Sequence, residues 1–172
     1  MKKISILTCM IFTFIMWALL SGVHNSKAEE LNKKLKGTYA VTSVITCQAN
    51  DQGNIATFHL QGLFTFYGNG TGEAEEITVL VVSSALYPPS PYQVFLTGDF
   101  SYTVDNKDYF TIDDLDLYVD GDLVIEDIMQ EGWIGHGSQT LILSDTHLND
   151  ETAPAGLRKC GRTGTAVKIS KK

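Results

Sequence analysis

The feature that most constrains the fold is an alternation of apolar and polar residues, with a period of two, that recurs after residue 37. Such alternation is typical of strands with one buried face. It is clearest between residues 55 and 67, where the apolar positions are Phe58, Leu60, Phe64 and Phe66. Helical spacing is confined to residues 29–36, which allow one or two turns. The chain is therefore expected to be all-β with a short N-terminal helix.

Clusters of Gly, Asn, Asp and Pro divide this pattern into strands. Eight strands are predicted, at about 38–47, 55–67, 73–82, 92–104, 109–119, 123–129, 138–144 and 160–170, with a long loop at 145–159. Within them, Gly62 and Gly98 are expected at bends or close backbone approaches. The run 77–82 is apolar on both sides, which predicts that both its faces are covered.

Two local features set the expected register of the fifth and sixth strands. The apolar parity of residues 109–119 changes partway, which predicts a bulge at Asp113 and Asp114. A three-residue loop at 120–122 is preferred to a two-residue turn, because it would place Val119 opposite Leu123 and gather the apolar side chains on one face.

Eight strands joined mainly by short hairpins predict one closed, antiparallel up-and-down barrel, with a β-sandwich as the alternative. Cys47 belongs to the first predicted strand and Cys160 to the last. Those strands are neighbours in a closed barrel, so a disulfide between the two cysteines would hold the closure, which favours the barrel. Two buried free thiols are the alternative for the cysteine pair.

Residues 1–28 have the pattern of an export signal. Lys2 and Lys3 precede an apolar run that extends to Val23, and the small residues Ser26 and Ala28 suit a cleavage site after Ala28. An uncleaved membrane anchor is the alternative, since the run is long enough to span a bilayer. The start of the chain is typical of bacteria, so release into the periplasm or the medium is expected, with residues 29–172 as a single domain.

Charge limits the partners of this domain. Cleavage after Ala28 removes three lysines and leaves 10 basic residues against 20 acidic ones, a net charge of −10. This charge disfavours nucleic acid and anionic membranes but suits a basic protein partner. The acidic residues are densest between Asp113 and Glu131, where a solvated face is a simpler interpretation than a calcium site because no EF-hand spacing is present.

The sequence lacks the signals of a catalytic site. It has no nucleophile elbow, phosphate-binding loop or dinucleotide fingerprint. His59, His136 and His147 are far apart and show no metal-binding spacing. A non-enzymatic protein without metal or cofactor is therefore expected.

The segment Gly37-Thr38-Tyr39, preceded by a short helix, resembles the Gly-x-Trp start of the first strand in the lipocalin-like (calycin) superfamily. The resemblance implies that Arg158 or Arg162 corresponds to the basic residue that packs across this aromatic ring. Tyr39 stands where that family has Trp, and the family's Thr-Asp-Tyr loop motif is absent. What the resemblance implies is a barrel whose interior or mouth binds a small apolar ligand.

The leading hypothesis is an exported barrel that binds a small hydrophobic molecule, and the alternative is an acidic interaction module, such as an inhibitor of a basic secreted enzyme. Trp133 and His136 lie in a glycine-rich segment, 131–137, that suits a pocket rim, and the proline-rich residues 83–91 suit a lid. The candidate ligand contacts are aromatic residues and one histidine: Tyr39, Phe58, Phe64, Phe66, Phe100, Tyr102, Trp133 and His136.

Overall fold

The computed structural model describes residues 27–49, 54–84, 94–153 and 156–169. Residues 27–32 are helical, and His136–Ser138 form a 3₁₀ turn. The strands are β1 (Lys36–Ala49), β2 (Asn54–Tyr67), β3 (Thr71–Ser84), β4 (Val94–Val104), β5 (Tyr109–Val119), β6 (Asp122–Ile134), β7 (Thr140–Ser144), β8 (Asn149–Ala153) and β9 (Gly156–Ile169).

These strands form one closed antiparallel barrel. Each strand from β1 to β6 pairs with the next, and β9 pairs with β7 and returns to β1, which closes the sheet. Both β7 and β8 lie between β6 and β9, so they are two halves of one interrupted strand. The barrel therefore has eight strand positions, and the predicted eight-stranded antiparallel barrel is confirmed.

The long loop predicted at 145–159 is wrong, because it contains β8 and the start of β9. The interruption between β7 and β8 lies at Asp145, whose carboxylate accepts hydrogen bonds from the backbone N–H groups of Glu131 and Arg162 at 3.1 and 2.8 Å. This side chain takes over contacts that a continuous strand would make through its backbone. The strand then resumes at Asn149.

The predicted end of the sixth strand at Met129 is also wrong. β6 continues to Ile134, so most of the segment expected to be a glycine-rich loop is strand. Gly132 makes this possible because a Cβ at that position would overlap the carbonyl oxygen of Ile142 on the neighbouring strand. β7 consequently starts at Thr140, two residues later than expected.

The predicted bulge in β5 is confirmed. Its register against β6 shifts between Ile112 and Leu115, and Asp114 has a φ of 52°. The predicted three-residue loop at 120–122 is wrong, because Val119 lies opposite Asp122 across a two-residue turn. Both central residues of this turn have positive φ, 51° at Asp120 and 90° at Gly121, as the favoured hairpin turns require.

The predicted cover over both faces of residues 77–82 is wrong. Leu80 and Val82 are 39% and 56% exposed on the outer face, while Ile77 is fully buried in the interior. A bulge beside Glu76, which has a φ of 53°, lets Ile77 point inward. The close approach expected at Gly62 is confirmed, since a Cβ there would overlap the side chain of Ile77.

One end of the barrel, called here the helix end, is sealed by residues 31–35. Leu35 is fully buried, and its carbonyl oxygen accepts a 2.8 Å hydrogen bond from the Tyr102 hydroxyl. That hydroxyl in turn accepts a 2.9 Å bond from the backbone N–H of Gly68. Asn32 Oδ1 accepts a 2.9 Å bond from the backbone N–H of Val104. These bonds tie the N-terminal segment to β4 and to the β2–β3 turn.

The opposite end, called here the loop end, is where β1 finishes and β9 begins. The predicted disulfide is confirmed here, between Cys47 and Cys160, which lie directly opposite each other on these two strands. The export signal up to residue 26 and residues 85–91 of the proposed lid lie outside the described residues. Within the described residues, no helix has the length and apolar character needed to cross a membrane.

Gly98 provides a test of this packing. We expect Gly98→Ala to lower the free energy of unfolding by about 1–3 kcal/mol, because the new Cβ would overlap the backbone carbonyl of Asp116. Gly161→Ala is the matched control, since its Cβ would meet a Leu148 methyl group that can move. Urea denaturation measures both, and equal stability of the two variants would contradict the proposed close approach.

Candidate functional site

Aromatic side chains fill the helix half of the barrel interior. Phe66 is central, with ring centroids 5.5 Å from Tyr39, 5.3 Å from Phe100, 5.0 Å from Tyr102 and 6.4 Å from Phe110. Phe64 joins the cluster through Phe100, at 5.6 Å. Of the eight candidate contacts, five thus converge here, where they pack against one another: Tyr39, Phe64, Phe66, Phe100 and Tyr102.

The hydroxyl groups of this cluster are bound by the backbone. Tyr39 donates a 2.9 Å hydrogen bond to the carbonyl oxygen of Ser138, in the 3₁₀ turn. Burial, together with the nearby Tyr102, raises the pKa of Tyr39 to about 12. The hydroxyl groups of Tyr39 and Tyr102 therefore stay protonated at neutral pH. Both donate hydrogen bonds to backbone carbonyls that hold the helix end closed.

The loop half of the interior has a different lining. Phe58 lies there, directly opposite Ile45 on β1, and Leu60 follows it on the same face of β2. These inward side chains remain 9%, 7% and 7% exposed, whereas Tyr39 and Phe110 at the helix end are fully buried. Aliphatic or small inward residues complete this wall, namely Ala56, Leu96, Leu117 and Ile128. The loop half thus has an apolar lining of one aromatic ring with aliphatic and small side chains, in contrast to the packed rings of the helix half.

A buried network of charges lies beside this wall. Glu151 of β8 is fully buried between two arginines of β9: Arg158, whose Nη2 is 2.9 Å from Oε2, and Arg162, which pairs with Oε1. Arg162 Nη1 also lies 3.6 Å from Asp145 Oδ2 and donates a 3.0 Å hydrogen bond to the carbonyl oxygen of Met129. The Arg158 guanidinium lies over the Phe58 ring, 5.5 Å from its centroid.

Sequence reasoning missed this network because residues 145–159 lack apolar alternation and were interpreted as a loop. One signal could have revealed it. Cys160, which was expected to form a disulfide, is fully buried in the interior, and side chains two positions away on a strand share its face. Arg158 and Arg162 were therefore placed inside the barrel by the same periodicity, and each needed a buried acidic partner.

The network is electrically balanced, with two guanidinium groups and two carboxylates. Burial lowers the pKa of Arg162 to about 10, although the Asp145 carboxylate opposes the shift. Burial raises the pKa of Asp145, and the Arg162 cation opposes that shift in turn. Each partner thus holds the other in its charged form inside the protein.

The cysteine sulfurs and a Glu151 oxygen lie within 4.8 Å of one another, at a spacing that a metal ion could bridge. The two sulfurs are bonded to each other, and the carboxylate is paired with two guanidinium groups. A metal ion at this position would need thiolates and a free carboxylate. The two cysteines instead form a covalent cross-link, which lies next to the ion pairs of Glu151.

Trp133 and His136 are not part of the interior. The continuation of β6 places Gly132 inward and Trp133 outward, where it is 41% exposed and packs edge-on against Tyr109 at 5.1 Å. His136 is exposed in the turn at the helix end. The rim expected from segment 131–137 therefore does not border the loop half.

The basic residue across the Tyr39 ring is Lys168, not Arg158 or Arg162 as the resemblance implied. Lys168 lies directly opposite Tyr39, and its Nζ is 5.6 Å from the ring centroid. The antiparallel register explains this outcome, because it places residues 158–162 of β9 beside the far end of β1.

Comparisons with known proteins show no matching family model and no matching curated protein. Among solved structures, the chain is similar to a redesigned β-barrel, mFAP1, bound to DFHBI. The two are 17% identical, with a TM-score of 0.38, and the match covers 81% of this chain and 99% of the other.

The charge network provides a test of buried pairing. We expect Arg162→Met to lower the free energy of unfolding by about 3–5 kcal/mol at pH 7, because it leaves carboxylates buried with too few cations. Lys159→Met is the control, since the ion pair of Lys159 with Asp150 is exposed.

The pH dependence gives a second readout of the same variant. Without Arg162, the pKa of Asp145 rises further above its unfolded value, so that the folded state binds protons more readily than the unfolded state. The loss of unfolding free energy caused by Arg162→Met should then be complete above the raised pKa of Asp145. It should shrink as the pH falls toward about 4. A deficit that is constant with pH, measured by urea denaturation, would contradict charge pairing as its cause.

Proposed function

We propose that this protein is exported and binds a small, apolar, uncharged molecule in the loop half of its barrel, without catalysing a reaction. The observation that carries the proposal is the lining of the loop half, where Phe58, Leu60 and Ile45 point inward among small and aliphatic neighbours instead of packed rings. The sealed helix end leaves the loop end as the side of entry. The export part rests on the signal pattern of residues 1–28.

The chemistry of the wall favours an uncharged ligand. Aliphatic side chains and Phe58 offer apolar surface, and each Å² of apolar ligand surface removed from water contributes about 25 cal/mol. The neighbouring charges are balanced among Arg158, Arg162, Glu151 and Asp145, so that they provide no net attraction for an ion. Arg158, which covers the Phe58 ring, is the residue a ligand would meet on reaching that ring.

A neutral fluorescent probe, N-phenyl-1-naphthylamine, tests this site in the mature protein. We expect the wild type to enhance its fluorescence, and Ala56→Phe to abolish the enhancement while changing the melting temperature little, because the new ring would take the place of the probe in the loop half. Ala74→Phe is the matched control at a fully packed position opposite Phe64. It should destabilise the fold by about 1–3 kcal/mol through overpacking.

Two results would contradict the proposal. One is a wild-type protein that does not bind the probe, combined with an Ala56→Phe variant as destabilised as Ala74→Phe, which would indicate a filled barrel. The other is unchanged probe binding in Ala56→Phe, which would place the probe elsewhere.

The second candidate function is an acidic interaction module for a basic protein. The observation that favours it is a row of carboxylates on the outer face, where Glu73, Asp99 and Asp116 lie directly opposite one another on β3, β4 and β5. Like charges directly opposite on neighbouring strands destabilise a sheet, and a basic partner would relieve their repulsion.

An octalysine peptide tests this alternative. We expect the wild type to bind it in low salt and release it as salt rises, since exposed charges are screened. Asp99→Asn/Asp116→Asn should weaken binding more than Asp120→Asn/Asp122→Asn, which removes the same charge from a turn. Equal weakening by both variants, measured by fluorescence anisotropy, would show that net charge alone is responsible.

A further inference from the structure

The outer surface of the barrel has two sides that differ in charge. Carboxylates lie on β3, β4, β5 and β6. The other side is formed by β2, β1, β9 and β7. None of its described outward residues within 55–65, 38–48, 161–169 and 140–142 is Asp, Glu, Lys or Arg. We call this second side the uncharged face. Its exposed apolar members are Val44, Ile55, Ile142, Val167 and Ile169, and most of the others are threonines.

The strand register makes the uncharged face continuous. Ile142 lies opposite Thr165, which lies opposite Thr42 on the next strand. Val167 lies opposite both Thr140 and Ala40. Trp133 lies opposite Ile142 and extends the row onto β6. Apolar and threonine side chains therefore cover neighbouring positions across β6, β7, β9 and β1 without a charge between them.

The size of this face suits a reversible protein contact. At about 4.8 Å between strands and about 3.3 Å per residue, nine residues each of β9, β1 and β2 with the five of β7 give a strip of roughly 500 Å². With Trp133 at its side, each copy would contribute about 600 Å², near the lower limit for specific interfaces.

The arrangement of charge indicates what covers this face. In the circular strand order, β9 and β1 lie across the barrel from β4 and β5, which carry Asp99 and Asp116 of the carboxylate row. Two acidic copies that meet through their uncharged faces therefore keep these carboxylates on their outer sides, separated by about two barrel diameters and beyond the Debye length of about 8 Å.

The side chains of the face also suit contact with themselves. A threonine hydroxyl both donates and accepts hydrogen bonds, so two threonine-rich faces can pair with each other. A two-fold axis would bring the same apolar patch together from both copies, as in most homodimers. A basic partner, by contrast, would find no carboxylate on this face.

We propose that the uncharged face is the contact surface for a second copy of this chain, which forms a weak, reversible two-fold dimer. The dimer is independent of a ligand in the barrel, because the face consists of outward side chains only. Both loop ends remain accessible, since the contact lies along the side of the barrel.

A matched pair of variants tests the dimer in the full mature protein. Val167 on the uncharged face and Val82 on β3 are 52% and 56% exposed, so that Val167→Glu and Val82→Glu introduce the same charge at similar exposure. Sedimentation equilibrium up to about 0.5 mM should show the wild type and Val82→Glu approaching twice the monomer mass. Val167→Glu should remain monomeric, because two new carboxylates would face each other.

Ile142→Glu is a second variant of the same face and should also remain monomeric, while melting temperatures confirm that each variant is folded. Added salt should leave the wild-type dimer intact or strengthen it, since the contact is apolar. A monomeric wild type at every concentration would overturn the proposal and leave the face for another partner. Equal dissociation of Val167→Glu and Val82→Glu would overturn it as well.

Discussion

The structure depends on the pairing between its first and last strands. β1 and β9 are opposite each other over twelve residue pairs, from Thr38 with Ile169 to Ala49 with Arg158, and this contact turns an open sheet into a barrel. An open sheet would leave two rows of unpaired backbone groups, which barrels avoid by closing. Closure also separates the side chains strictly into an interior and an exterior set.

The two halves of the barrel interior are filled by different kinds of side chain. At the helix end, large aromatic rings and the segment 31–35 occupy the space, with the Tyr102 hydroxyl bound to the backbone. At the loop end, a covalent bond and buried charges hold β8 and β9 against their neighbours, while the β2 wall keeps some exposure. The barrel is thus held at one end by packed rings and at the other by a covalent cross-link and buried ion pairs.

Periodicity allowed much of this fold to be predicted. The alternation of Phe58, Phe64 and Phe66 identified the interior face of β2, and the change of parity at Asp113 located a bulge. The cysteine positions, interpreted with the barrel topology, identified the disulfide. These features are visible in the sequence because each depends on a local pattern or on one pair of residues.

The features that were missed depend on contacts between distant residues. β8 has the sequence Asn-Asp-Glu-Thr-Ala, which becomes a strand because Glu151 finds two arginines of β9 inside the barrel. Trp133 lies on the outer face because the glycine before it packs against a neighbouring strand. The position of Lys168 over Tyr39 follows from the β1–β9 register, which no local pattern in either strand specifies.

Closure between the chain's two extremities also sets the order in which the molecule can form. β1 pairs on one side with β2, its neighbour in the sequence, but on the other side with residues 158–169, more than a hundred residues later. Contacts of such long sequence separation slow folding. Pairing of the last strand with β1 therefore completes the backbone hydrogen bonding of that edge and also brings Cys160 opposite Cys47.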